Sequence, residues 1–264
     1  MKAVKVIPVG AESNSRFVAF GDESQFGNTV VYAYVIVPRL RVTQVEARLL
    51  SLKRAFRIPP DTALHCKVLF HEDKRSKANL EHLTPDRVRA LLHHALTIMN
   101  QGRTILRYGV ADLDDARKRF GVDSTMTLRS AAGEPDLTLP VNFDPKAIIG
   151  LLANGCFAVP EDGSQGPSLS QCQIIASREP SMVRFVGRRS QAHNLYGGFS
   201  EIGAAEGEVF QFQPSLSTEA LAPLLQLADV AAYTCSHAQT PGSNTAFFRD
   251  LLSRIKLKHS FACF

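Results

Sequence analysis

The chain of 264 residues is 45% hydrophobic and 21% charged, enough apolar material for a full core and not the composition of a disordered protein. A net charge of +5 and a pI near 9.0 favour a polyanionic partner but fall well short of a histone-like binder. Five scattered cysteines without a Cys-x-x-Cys pair argue against a disulfide framework or a zinc knuckle and suit reduced thiols in a cytoplasm.

Met1 to Pro8 lacks the uninterrupted apolar core of a signal peptide, and the apolar run Val30 to Val37 is too short to span a bilayer, so no membrane partner is expected. Arg16 to Gly21 and Thr29 to Val37 are β-branched and aromatic runs around Gln25-Phe26-Gly27-Asn28, which predicts two antiparallel strands. Helical spacing from Val42 to Phe56 is ended by Ile58-Pro59-Pro60. Thr84-Pro85-Asp86 supplies a cap, a proline at the first helical position and an acid in the first turn; Val88, Leu91, Leu92, Ala95, Leu96 and Met99 follow at helical spacing until Gly102. Thr104 to Ala111 reads as a strand. Residues 112–170 are less regular, with a helical patch from Pro145 to Cys156 and a Gly/Pro/Ser-rich loop from Val159 to Ser170, and are expected to form an insertion or lid. Cys172 to Ala176 and Glu208 to Phe212 are predicted strands, and Pro180 to Arg189, Glu219 to His237 and Ala246 to Lys256 predicted helices. A hairpin followed by alternating helices and strands predicts a single α/β domain with a mixed sheet flanked by helices.

Two places put carboxylates where folding alone would avoid them. Asp22 and Glu23 follow an apolar strand, at the edge where α/β sheets commonly build sites; alternation sends them to opposite faces, and a polar strand end would look the same. Asp229 lies on a helix that is apolar nearly all round, sharing a narrow stripe with Gln226. It is either a site carboxylate or half of a buried ion pair, since an unpartnered buried charge costs several kcal/mol. No P-loop, dinucleotide or nucleophile-elbow motif occurs. His71-Glu72-Asp73 and His93-His94 read as surface residues. The basic groups Lys74-Arg75-Ser76-Lys77, Arg184 with Arg188-Arg189, and Arg254 with Lys256 and Lys258 either track a phosphate backbone or are solvated faces.

Asp22-Glu23-Ser24, Leu64-His65-Cys66-Lys67-Val68-Leu69 and Leu225 to Val230 together resemble the bacterial and phage family catalogued as domain of unknown function 3800, over about Phe17 to Tyr233. The resemblance implies a ribonuclease-H-like fold, a setting in phage defence or mobile elements, and a meeting of the first strand with the last helix. Asp22 and Asp229, with Glu23 or Glu179, would then form a catalytic acidic site holding Mg²⁺ or Mn²⁺ for phosphodiester cleavage of DNA or RNA. His65 is a general base, a substrate contact or simply a half-buried histidine; Lys67, Arg178, Arg188 and Arg189 are candidate phosphate contacts. The chain departs from the family by lacking an acid just before His65 and by reading Ile174 to Glu179 where relatives carry a strand acid, with Glu179 as the stand-in. Those departures imply the alternative of a non-catalytic nucleic-acid-binding or regulatory protein; the basic surface and long middle region leave open a third reading, an interaction subunit of a defence or mobile-element complex, and a protein partner or homo-oligomer is open in any of these.

Overall fold

The structure is a computed structural model that describes residues 16–120, 125–128, 137–140, 148–149, 152–153, 155–156, 166–167, 171–176, 210–212, 223–242 and 244–262. Among these, six strands form one mixed sheet in the order β7-β6-β1-β2-β3-β8, and β4 (Thr125–Leu128) pairs with β5 (Leu137–Pro140) in a separate two-stranded ladder. The opening hairpin joins β1 (Phe17–Phe26) to β2 (Thr29–Pro38), and β2 pairs antiparallel with β3 (Ile105–Asp112). On the other side of β1 lie β6 (Cys172–Ala176) and β7 (Phe210–Phe212), both parallel to it; β8 (Lys258–Ala262) closes the far edge, parallel to β3.

The helices are α1 (Val42–Ala55), the short α2 (Cys66–Leu69) and α3 (Glu72–Lys77), α4 (Pro85–Gln101), α5 (Leu113–Phe120), α6 (Pro223–Gln239) and α7 (Thr245–Ser253). The α4 reading holds in detail: Thr84 Oγ1 accepts from Arg87 N–H, and Val88, Leu91, Leu92, Ala95, Leu96 and Met99 are buried. Each fully buried aliphatic of that kind contributes about 1.5–3 kcal/mol.

One face of the sheet, carrying Val18, Phe20, Val31, Ala33, Val35 and Val37, packs on α1, α4, α6 and α7 in a single apolar core. The other face carries Tyr32 and Tyr34, whose rings lie over Gly21: a Cβ there would stand 2.6 Å from atoms of both. Glycine is required at this position because the two aromatic rings need its space. The middle segment contributes to that second face, where Cys156 Sγ lies 3.7 Å from Tyr32 O and Arg107 Nη1 donates to Cys156 O at 3.4 Å.

Three expectations are corrected. The first strand does not end at Gly21 but runs on to Phe26 around the two-residue turn Gly27–Asn28, so Asp22 and Glu23 are mid-strand, opposite Ala33 and Tyr32. The last helix stops at Ser253, and the chain re-enters the sheet as β8. Residue 112 starts no irregular stretch: Asp112 Oδ1 accepts from the N–H groups of Asp114 and Asp115 and so opens α5. Among the described residues no helix is long and apolar enough to cross a membrane.

Candidate functional site

Helix α6 lies along β1 and supplies the site with a polar stripe. Gln226, Asp229, Tyr233 and Ser236, with Thr240 just past the helix end, recur at spacings of three and four, one face of a largely apolar helix. Every side chain of that stripe meets something specific. Gln226 Oε1 accepts from Leu64 N–H at 2.9 Å, and Asp229 Oδ2 from Cys66 N–H at 2.7 Å. Ser236 Oγ is 2.9 Å from Ser24 Oγ on β1, and Thr240 Oγ1 donates to Phe26 O at 3.2 Å.

The Ser24 contact fixes which way β1 faces. Side chains alternate along a strand, so Asp22 points with Phe20 and Ser24 toward α6, and Glu23 points with Gly21 toward the tyrosines. Glu23 is thereby separated from Asp22 by the sheet and does not join the acidic site proposed for it. Asp22 itself is buried, with Oδ1 accepting from Glu23 N–H at 2.9 Å. It is also the first β1 residue beyond the described pairing with β6, which ends at Gly21 opposite Ala176. Asp22 therefore lies just past the described β1-β6 pairing, toward the carboxyl ends of the parallel strands, where α/β folds gather ligands.

His65 sits between the two N–H groups that α6 holds. It is the N-cap residue of α2, in extended conformation, with its Nδ1 3.0 Å from Asp229 Oδ1; the Asp229 side chain is 13% exposed and that of His65 36%. A carboxylate on Nδ1 selects the tautomer with the proton there, which leaves Nε2 as the basic nitrogen. Protonation of the ring would turn the contact into an ion pair.

Cys66 lies within electrostatic reach of both aspartates. Its thiol is pushed well above the ordinary value by burial, then by Asp229, which also takes its hydrogen bond, and then by Asp22. Both carboxylates thus act on one sulfur, although they come from opposite ends of the chain. The same shift removes Cys66 as a nucleophile, since the thiolate is the reactive form. The Tyr233 phenol, one turn beyond Asp229, is likewise raised by burial and by the charges of Cys66 and Asp229.

The remaining expectations divide. Lys67 is exposed on α2. Glu179, Arg178, Arg188 and Arg189, together with the helix read from Pro180 to Arg189, lie outside the described residues. Arg75 is no surface cation, because it is buried with Nη1 donating to Leu69 O at 2.7 Å. His71, Glu72 and Asp73 are exposed, as read from the sequence. Tyr233, Ser236 and Ser24 were missed, although the three-and-four spacing that gave Gln226 and Asp229 continues through Tyr233 and Ser236.

Among the described residues no three His, Cys, Asp or Glu side chains gather as a metal site. Two carboxylates are nevertheless enough for the way Mg²⁺ is usually bound, through one or two protein oxygens with the rest supplied by water and substrate phosphate. A carboxylate has about four acceptor positions. Asp229 uses two, on Cys66 and His65, and carboxylate oxygens such as those of Asp229 and Asp22 are the hard donors that a divalent ion of this kind takes. No family model matches the chain, and neither a curated protein nor a solved structure does.

Proposed function

We propose that the chain is a divalent-metal-dependent phosphodiester hydrolase acting on nucleic acid, built on a ribonuclease-H-like domain. The observation that carries this is the placement of Asp229 against His65 and Cys66, with Asp22 on the face of β1 that Ser24 turns to α6 and within electrostatic reach of Cys66. The strand order β3-β2-β1-β6-β7, three antiparallel strands followed by two parallel ones, supports the ribonuclease-H-like reading. So does the resemblance of the Asp-Glu-Ser, Leu-His-Cys-Lys and Leu-Gln-Leu-Ala-Asp-Val motifs to the family named above. In this reading Asp22 and Asp229 hold Mg²⁺ or Mn²⁺, which supplies a more acidic water and charge neutralisation at phosphate. His65, held at Nδ1 by Asp229, moves a proton at Nε2.

Incubation of the purified chain with single- and double-stranded DNA and RNA, with Mn²⁺ or with chelator, tests the proposal. Cleavage that disappears in chelator and falls by orders of magnitude in Asp22→Asn is the expected result. Equal cleavage by both proteins in chelator would refute it.

A second reading has its own observation. Asp229 already holds Cys66 N–H and His65, and no third metal ligand is present among the described residues. A protein that keeps the fold and binds nucleic acid without cutting it would show salt-dependent binding, unchanged in Asp22→Asn, and no cleavage under any metal.

A further inference from the structure

The end of the sheet opposite Asp22 sets exposed leucines among cations. There β2 runs out into Arg39-Leu40-Arg41, and Lys256-Leu257-Lys258 leads into β8. Leu40 is 99% exposed and Leu257 46%; with Phe26 they are the large apolar side chains left in water among the described residues. Each leucine stands between two cations.

The two loops belong to one surface. Both flank the C-terminal end of α4, where Arg41 Nη1 donates to Gln101 O at 3.5 Å, Lys256 N–H to Asn100 Oδ1 at 3.0 Å, and Asn100 Nδ2 to Arg254 O at 2.9 Å. In the sheet, Ile36 faces Ile105 and Leu106 faces Lys258, so the loops are two strand spacings apart, about 10 Å. Arg103 is exposed between them. Against Arg39, Arg41, Arg103, Arg254, Lys256 and Lys258 stands the carboxylate of Asp250, paired with Arg254 at 2.9 Å.

Some of these cations have a structural task, because they meet carbonyls at the end of α4 and near the end of α7. That task explains nothing about the leucines, Leu40 almost wholly and Leu257 nearly half in water, whose exposed apolar surface costs free energy. A phosphate backbone would use the cations but would gain nothing from two aliphatic side chains with no aromatic ring beside them. A bilayer with anionic headgroups uses both: cations near such a surface contribute individually, and apolar side chains enter the boundary between headgroups and acyl chains. We infer that this pole of the molecule docks on an anionic lipid surface, with Leu40 and Leu257 entering the interface and the surrounding Arg and Lys side chains reading the headgroup charge.

The chain has no tryptophan, so Leu40→Trp places a single reporter at a position that packs against almost nothing. Vesicles containing phosphatidylglycerol should shift its emission to the blue and brominated acyl chains should quench it, while pure phosphatidylcholine vesicles should do neither. In sedimentation with the same vesicles, Leu40→Ser with Leu257→Ser should weaken binding at least about tenfold, and each of Arg41→Glu and Lys256→Glu at least about fivefold. Unchanged melting curves would show these variants folded. No binding to anionic vesicles, or equal binding to neutral ones, overturns the inference. Binding that ignores the leucine pair and is competed by duplex DNA also overturns it and assigns the surface to nucleic acid. Nuclease activity is not read in any of these measurements, so their failure and the failure of the proposed function are distinguishable.

Discussion

Replacing Asp229 by asparagine tests the centre of the argument, because the structure assigns that carboxylate two partners before any ion arrives. Oδ2 takes the Cys66 N–H at 2.7 Å and Oδ1 lies 3.0 Å from His65 Nδ1, in a side chain that is 13% exposed. A hydrogen bond to a charged group contributes about 1.5–3 kcal/mol. Asparagine keeps one carbonyl oxygen for Cys66 and turns an amide toward the histidine, so the expected loss is about 1–3 kcal/mol. Alanine leaves both partners without an acceptor, and its loss should be nearer 3–5 kcal/mol. For a chain of this size each kcal/mol moves the melting temperature by about 2–4 °C. Thermal melts in chelator measure this directly. Gln226→Ala, which frees the neighbouring Leu64 N–H, should cost about 1–3 kcal/mol, and the double variant should lose less than the sum because both residues hold one segment. If Asp229→Asn melts at or above the parent temperature in chelator, the carboxylate is not holding residues 64–66. Its repulsion from Asp22 would then be the larger effect.

Three further outcomes are expected. Mn²⁺ or Mg²⁺ should raise the melting temperature of the parent chain by an amount corresponding to about 2.7 kcal/mol at a hundredfold excess over Kd, and a shift of equal size in Asp22→Asn would refute Asp22 as a ligand. Gly21→Ala should destabilise by about 1–3 kcal/mol, since its Cβ would stand 2.6 Å from Tyr32 and Tyr34 atoms; an unchanged denaturant midpoint would show that the rings move aside freely. His237 is stacked between Phe26 and Tyr233 with both centroid distances 3.9 Å, and burial pushes it below its usual value of 6.5. The unfolded chain therefore takes up a proton that the folded one refuses, and stability should fall as pH drops below about 6.5. His237→Phe keeps the stack and should flatten that slope in part, with His259, lowered by burial and by Arg107, contributing the remainder; an identical slope in the variant would sink this account.

How far the sequence could be read depended on whether local signals and tertiary partners agreed. α4 was legible throughout because cap, proline and apolar spacing all describe a helix lying on a core. β1 was cut short because Asp22 and Glu23 look like a strand end, and only the pairing with β2 across Gly27–Asn28 carries it through them. β8 carries two cationic or titratable residues in five and comes four residues after a helix, so nothing local marks it apart from its docking beside β3. α5 had its signals, an Asp112 cap and two further aspartates, and they were passed over inside a region whose other parts have no period. Asp229 was legible as an anomaly on an apolar helix, but its partners were not, because a backbone N–H at residue 66 leaves no trace in sequence.

The contact between Ser24 and Ser236 joins residues 212 positions apart. During synthesis the β1-β2-β3 meander emerges long before α6, and its apolar face of Val18, Phe20, Val31, Ala33 and Val35 must wait for the helix that covers it. Non-local pairings of this kind fold slowly and leave sticky surface exposed meanwhile. A ribosome product that stops before residue 223 has Asp22 and His65 but neither the lid on its core nor the carboxylate that orients the imidazole. The chemistry proposed for this chain is therefore withheld until α6 is made, and a copy truncated before it is an aggregation hazard before it could become a stray enzyme.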